Sequence, residues 1–328
     1  FPTRRSSDLA KKYHLIMTGG SDYHGSNKPR IKLGTGMGKL FIPEEFLDAI
    51  KAEYLKDFRS GEPGLLSFDL DGTLLDDTKQ ILPDTRMVLE QLLEKGYRFT
   101  ISTGRPLTST LRLVKALDLI QYDPLISAFN GGCIYDLKED KILYRDVLSK
   151  DVASGIKDMV KEAGLHFHTY TEREVICERD TEEVRYYSDY IKMEYRVCED
   201  VLAEEPCPYK LITMHLADKS LLDTMKVKIL DRYGDRIQCI FSNDKFLEII
   251  PKTSGKDVAL RKMCEILGVP FERSYAFADQ DNDISMLAAA AHSVAMVNGS
   301  HGAKKAAGHI TFKDNNHNGL TDFLKALL

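Results

Sequence analysis

The chain reads as an α/β protein, a doubly wound parallel sheet interrupted by an inserted α+β module. Three observations carry that reading. Short apolar runs at 65–68, 97–102 and 124–129 alternate with helix-period segments, the pattern of a parallel sheet with crossover helices. Each run breaks at polar residues beside glycine, the place where open α/β sheets bind their ligands. From 148 to 249 the text changes to mixed helical and strand-like segments, as a separate module between two halves of one sheet would.

Composition narrows the function classes. Of 328 residues, 43% are hydrophobic and 29% charged, a globular mix with length for about two domains. A net charge of -5 and a pI near 6.0 give no basic footprint for nucleic acid. No apolar run approaches the roughly 18 residues a membrane span needs. The expected partner is therefore a small molecule rather than a polynucleotide or a membrane. Cys133, Cys177, Cys198, Cys207, Cys239 and Cys264 form no CxxC pair and read as reduced thiols of a cytoplasmic protein.

Residues 1–63 stand apart. The first nine, FPTRRSSDL, resemble a translated sequencing adapter and are set aside. Further on, an apolar Leu15-Ile16-Met17 leads into Gly19-Gly20-Ser21-Asp22-Tyr23-His24. That string resembles the C-terminal end of a PHP-family metallophosphoesterase, in which an Asp-x-His supplies metal ligands. Asp22 and His24 are competent ligands, but a catalytic metal site needs three protein ligands, so 13–56 is expected to be a truncated, inactive remnant. A helix is expected over 42–58 and a linker over 60–64.

The sheet domain opens with Leu65-Leu66-Ser67-Phe68-Asp69-Leu70-Asp71-Gly72-Thr73. Positions i and i+2 of an extended chain face the same way, so Asp69 and Asp71 are expected to converge beyond the strand. Gly72 permits the sharp turn there. Two like charges that close call for a cation or a proton, and Mg²⁺, a hard ion with oxygen ligands, suits them.

A helix over 83–95 and the strand 97–102 follow, ending in Ser102-Thr103-Gly104-Arg105. A hydroxyl at that strand end can hydrogen-bond a phosphoryl oxygen. The next unit, a helix over 108–117 and a strand from 124, breaks at Asn130-Gly131-Gly132. Within the insertion, helices are expected over 152–163 and 220–233, with strands over 165–169, 210–216, 238–242 and 246–250. His166 and His168 alternate on the first of these strands and read as a surface-facing pair; Tyr186, Tyr187 and Tyr190 read as the packing face of a helix.

The sheet resumes after Pro251. Lys256 precedes an apolar-periodic helix and can aim a compact charge at a phosphate, where the helix start also favours anions. Tyr275-Ala276-Phe277-Ala278 then leads into Asp279-Gln280-Asp281-Asn282-Asp283, an acid-rich turn suited to a metal. Apolar runs at 294–297 and 310–312 complete the sheet.

Four elements in this order, FDLDGTL, STGR, Lys256 before a helix, and ADQDND, resemble the haloacid dehalogenase (HAD) superfamily and, within it, the Cof-type subfamily IIB phosphatases. The resemblance covers about 64–328. It implies Asp69 as nucleophile and Asp71 as general acid/base, with Thr103 and Lys256 holding the phosphoryl group. It also implies that Asp279 joins Asp69 and the Asp71 main-chain carbonyl on Mg²⁺, with Asp283 supporting the metal loop. Gly104, Arg105, Asn130, Gly131 and Asn282 are implied as substrate contacts. Two departures stand out: Ala278 where the family usually has Gly, a risk if φ there is positive, and Gln280 where Ser is frequent. Only 33 positions separate Asp69 from Ser102, so the insertion falls later and resembles a C2-type cap. The domains expected are thus 1–63, a core of 64–147 with 250–328, and a cap of 148–249.

The implied activity is Mg²⁺-dependent hydrolysis of small phosphate esters, sugar phosphates foremost, through an aspartyl-phosphate. The competing readings are a hexose-phosphate phosphomutase, which would move phosphate within one sugar, and a non-catalytic phosphosugar-binding regulator.

Overall fold

The computed structural model describes residues 12–13, 15–17, 44–58, 61–171 and 173–328. Asp22 and His24 lie outside the described residues. Two compact units divide the chain near Gly61. In the first, the expected helix is observed as Glu44–Tyr54, followed by a 3-10 turn, Lys56–Phe58.

The second unit contains two sheets. The larger is built from β1 (Leu65–Phe68), β2 (Arg98–Ser102), β3 (Leu125–Ala128), β4 (Cys133–Asp136) and β5 (Lys141–Arg145), then β12 (Ser274–Ala278), β13 (His292–Ala295) and β14 (His309–Ile310). Its order is β14-β13-β12-β1-β2-β3-β4-β5. The pairs from β14 to β3 are parallel, and β4 and β5 extend the edge as an antiparallel hairpin. That hairpin was not expected from the sequence.

β1 lies at the centre, paired with β12 and β2. All four of its residues are buried, because helices cover both faces of such a sheet and leave no polar alternation. On one face Leu65, Ala276 and Ala278 pack against Ala259, Leu260 and Met263 of the helix Lys256–Leu267. Elsewhere Phe68 stacks on Phe277 at 4.6 Å and tilts against Phe99 at 5.7 Å. Burying each such side chain contributes roughly 1.5–3 kcal/mol. This packing fixes where the end of β1 lies.

The smaller sheet comprises β6 (His166–Tyr170), β7 (Val175–Cys177), β8 (Tyr195–Val197), β9 (Leu211–Met214), β10 (Ile237–Asn243) and β11 (Phe246–Pro251), ordered β10-β11-β9-β6-β7-β8. β11 runs to Pro251, past the boundary expected at 249/250. Alternation is clear here. Phe167, Leu211, Leu247 and Ile249 join a core with Val152, Ile156, Leu222 and Ile229 from the helices Lys150–Glu162 and Lys219–Tyr233. The opposite face meets the helix Glu182–Ile191, whose Tyr187 lies 4.4 Å from His168 and 5.1 Å from Phe246.

That helix corrects the reading of the histidines. His166 and His168 are buried, joined by a 2.9 Å hydrogen bond between Nε2 and Nδ1, and Thr181 Oγ1 lies 2.9 Å from His166 Nδ1. Burial pushes His166 down to about 4 and His168 well below the usual imidazole range. An unfolded chain binds these protons near pH 6.5, so the stability that neutral imidazoles provide is lost as pH falls from about 6.5 towards 4. Denaturant titrations of the wild type and a His166→Gln/His168→Gln variant are expected to diverge below pH 6.5. The slope difference is on the order of 1.4 kcal/mol per pH unit per histidine; parallel curves would contradict it.

Candidate active site

The site forms where β1, β2 and β12 end. Asp69 stays on the ladder, its N–H donating to the Phe277 carbonyl at 2.9 Å. The chain then turns at Gly72, whose φ of 79° favours glycine; a Cβ there would lie 2.5 Å from Asp279 Oδ2. Thr73 Oγ1 donates to Asp279 Oδ1 at 3.0 Å. The Asp-Gly-Thr string thus seats the carboxylate of a strand some 200 residues downstream in the chain.

Lys256 opens its helix fully buried. Its Nζ donates to Asp69 Oδ1 at 2.7 Å and also to Asp283 Oδ1. Asp283 in turn accepts from the Gln280 N–H at 3.0 Å, and Gln280 Nε2 donates to Asp279 Oδ2 at 2.8 Å. The departure at Gln280 therefore holds the Asp279 carboxylate. Ala278 closes β12 with an extended backbone, in register with Ala295, and is not among the positive-φ residues. Its methyl is accommodated.

Carboxylate oxygens of Asp69, Asp279 and Asp283 lie within 4.8 Å of one another. Burial raises Asp69 well above the usual carboxylate range, Lys256 opposes that, and Asp283 and Asp279 add to it. Burial also pushes Asp279 up to about 6, with Asp283 contributing and Gln280 and Thr73 opposing. Burial alone would lower Lys256, but Asp283 and Asp69 raise it above the usual lysine range. Three carboxylates against one ammonium leave negative charge uncompensated in a buried site. The donor set, all hard oxygen, fits a small divalent ion.

Asp71 faces elsewhere. Its carboxylate is gripped by Arg105, with Nε at 2.6 Å from Oδ2 and Nη2 at 2.8 Å from Oδ1, and by Lys79 Nζ at 2.7 Å. Burial would raise it, yet Arg105 and Lys79 hold it at about 2. The Asp71 side chain thus turns to Arg105 and Lys79, and among the described residues the carboxylate cluster joins Asp69 to Asp279 and Asp283 instead.

Asp69, Asp71, Thr103, Gly104 and Arg105 open onto one cavity, as does Asn282. Thr103 is buried and accepts the Arg105 N–H at 3.2 Å. Asn130 and Gly131 stand outside the cavity lining. Asn130, at φ 55°, accepts from Asn282 Nδ2 at 3.2 Å. Gly131, at φ 95°, would put a Cβ 2.1 Å from the Gly255 carbonyl, so glycine lets this turn pass beside the Lys256 helix.

Residues of the second sheet and its helix also line the cavity, among them Tyr187, Tyr190, Lys210 and Glu248. Tyr187 is buried and packs as expected for a helix face, but Tyr190 is 59% exposed and contributes to the mouth. No local motif marks Lys210 or Glu248; only the strand register brings them here.

Residues 66–324 match the family described as haloacid dehalogenase-like hydrolase. The chain is 30% identical over 285 residues to 5-amino-6-(5-phospho-D-ribitylamino)uracil phosphatase YitU of Bacillus subtilis, covering 80% of this chain and 97% of that one. A haloacid dehalogenase-like hydrolase of Bacteroides thetaiotaomicron superposes with a TM-score of 0.72 at 28% identity, over 80% of this chain and 99% of the other. A HAD subclass IIB sugar phosphatase, at 21% identity, shares the fold with a TM-score of 0.68 over 80% of this chain and 98% of its own. With the strand that leads into Asp69, Lys256 and the acidic turn all spanned by that match, the chain belongs to the haloacid dehalogenase-like hydrolase family.

Proposed function

We propose that this enzyme, a HAD-type phosphatase, is a Mg²⁺-dependent phosphomonoesterase of small phosphorylated metabolites, sugar phosphates foremost, acting through an aspartyl-phosphate on Asp69. The observation that carries the reading is Asp69 itself: at the end of the central strand, 2.7 Å from a buried lysine, within a carboxylate cluster, and open to a cavity shared with Thr103. The ribityl phosphate in the name of the Bacillus subtilis relative supports an ester of a polyol.

Asp69 and Asp279, with the Asp71 main-chain carbonyl and Asp283 in support, would hold the ion. When bound, Mg²⁺ neutralises charge on the phosphoryl oxygens. An Asp69 oxygen then attacks phosphorus, and the bond to the sugar oxygen breaks. The Asp71 carboxyl gives its proton to the departing alkoxide. It takes one back from the water that next attacks phosphorus, freeing inorganic phosphate and the Asp69 carboxylate. Asp71 is held ionised by Arg105 and Lys79. An entering phosphate competes for Arg105, and losing that partner lets Asp71 acquire the proton it must deliver.

In this reading 64–147 and 250–328 form the core, while 148–249, with the smaller sheet, is a C2-type cap that meets the leaving group. Its work is to exclude water and recognise the alcohol. Six free thiols agree with a cytoplasmic site of action. Among the described residues no helix is long and apolar enough to cross a membrane.

Phosphate release from a panel of sugar phosphates is expected to stop in EDTA and return with Mg²⁺. Full release in EDTA would contradict the metal requirement. Mg²⁺ at about 100 times its dissociation constant is also expected to stabilise the fold by about 2.7 kcal/mol, read as a higher Tm. Asp279→Asn should abolish that rise.

A further inference from the structure

The smaller sheet carries a buried ion pair that no step above uses. Glu248 pairs with Ile212 across β11 and β9, so Lys210, two residues before Ile212, lies diagonally beside it on the same face. Lys210 Nζ is 3.0 Å from Glu248 Oε2, and the two side chains are 1% and 6% exposed. Neither spends its remaining polar atoms within the pair. Lys210 donates to the Gly104 carbonyl at 2.9 Å, on the loop that carries Thr103 and Arg105. Glu248 accepts from Asn130 Nδ2 at 2.8 Å, and its other oxygen accepts from the Ser242 hydroxyl.

Both bonds to the larger sheet end at residues of turns whose backbone has little freedom. A Cβ at Gly104 would lie 2.8 Å from Asn130 Oδ1, so these two turns already touch. Phe129, Asn130 and Gly131 have φ of 54°, 55° and 95°, a left-handed run that for a bulky residue such as Phe persists only when its surroundings impose it. Asn130 also accepts from Asn282, beside Asp283. One buried pair thus reaches the phosphoryl-side loop and, through Asn130, the acidic turn.

We propose that Lys210 and Glu248 are positioning residues, a latch that seats the smaller sheet on the Thr103–Arg105 and Asn130 turns and completes the cavity over Asp69, a role that takes its kinetic consequence from the phosphatase reading above. Burial by itself gives no reason for the pair, since replacing a buried ion pair with neutral groups of similar size is often neutral for stability. The pair instead supplies direction: one donor and one acceptor, each aimed across to a turn of the catalytic sheet.

The test is the double variant Lys210→Met/Glu248→Gln, which leaves no buried charge unpaired. The expected result is a Tm close to wild type, with amide hydrogen exchange faster at Gly104, Arg105 and 129–132 and unchanged in the helix Lys219–Tyr233. Turnover of a sugar phosphate should fall about 100-fold, as misplacement by an ångström does, and by clearly more than turnover of p-nitrophenyl phosphate, whose activated leaving group departs with less help from the cavity. Unchanged exchange at those turns overturns the latch, as does an equal loss on both substrates. If the wild type hydrolyses neither substrate but the exchange changes as stated, the phosphatase reading fails and the latch stands.

Discussion

Asp69→Asn is expected to lower phosphate release by at least about 10³-fold while the protein stays folded. Nucleophiles of covalent catalysis carry effects of that size or larger, and an amide oxygen cannot form the phosphoryl ester. Electrostatics predicts a second outcome. Burial and its acidic neighbours hold Asp69 well above the usual carboxylate range. For such a group the stabilising protonated form is present at low pH and lost as pH rises through the native value. Without a cation the buried carboxylate therefore costs stability once ionised, and Asn removes that cost. In EDTA at pH 7 the variant should melt no lower than wild type. A large drop in Tm with residual turnover would instead make Asp69 a structural residue.

Lys256→Met is expected to cost about 3–5 kcal/mol of stability, the usual penalty for stripping the partner from a buried charge. Its Nζ, fully buried, holds both Asp69 and Asp283. Without it, three carboxylates share the site with no positive charge among them. A bound dication compensates in part, so the loss should shrink when Mg²⁺ is added. Activity should fall on the order of 10²–10³-fold, since one aimed positive group at a developing charge is worth that much. Denaturant midpoints measured with and without Mg²⁺ decide the matter; equal losses in both conditions would mean that no cation joins this cluster.

The candidate site residues were legible because each sits where a local pattern breaks. Asp69, Thr103 and Asp279 follow apolar strands that end at turns, and Lys256 opens a helix with a clear apolar period. Their convergence needed only the parallel topology, whose strand ends all lie along one edge. Asp71 was harder to place. Its two-residue spacing from Asp69 suggested a shared cation, but Gly72 turns the chain and Arg105, from the next βα unit, captures the carboxylate. The histidines were misplaced for a different reason. Every residue of β6 is buried, and alternation reveals which side chains share a face, not whether a helix will cover it. Lys210 and Glu248 carried no signal at all, because their meeting depends on a strand register set 38 residues apart in the chain.

Acid quench during turnover shows whether phosphate passes through Asp69. With a sugar phosphate and Mg²⁺ present, quenched enzyme should yield a peptide spanning Asp69 that is heavier by one phosphoryl group. Hydroxylamine should remove the group, and Asp69→Asn should never acquire it. Steady release of phosphate with no label on Asp69 in wild-type enzyme, or with the label on another residue, would contradict the account.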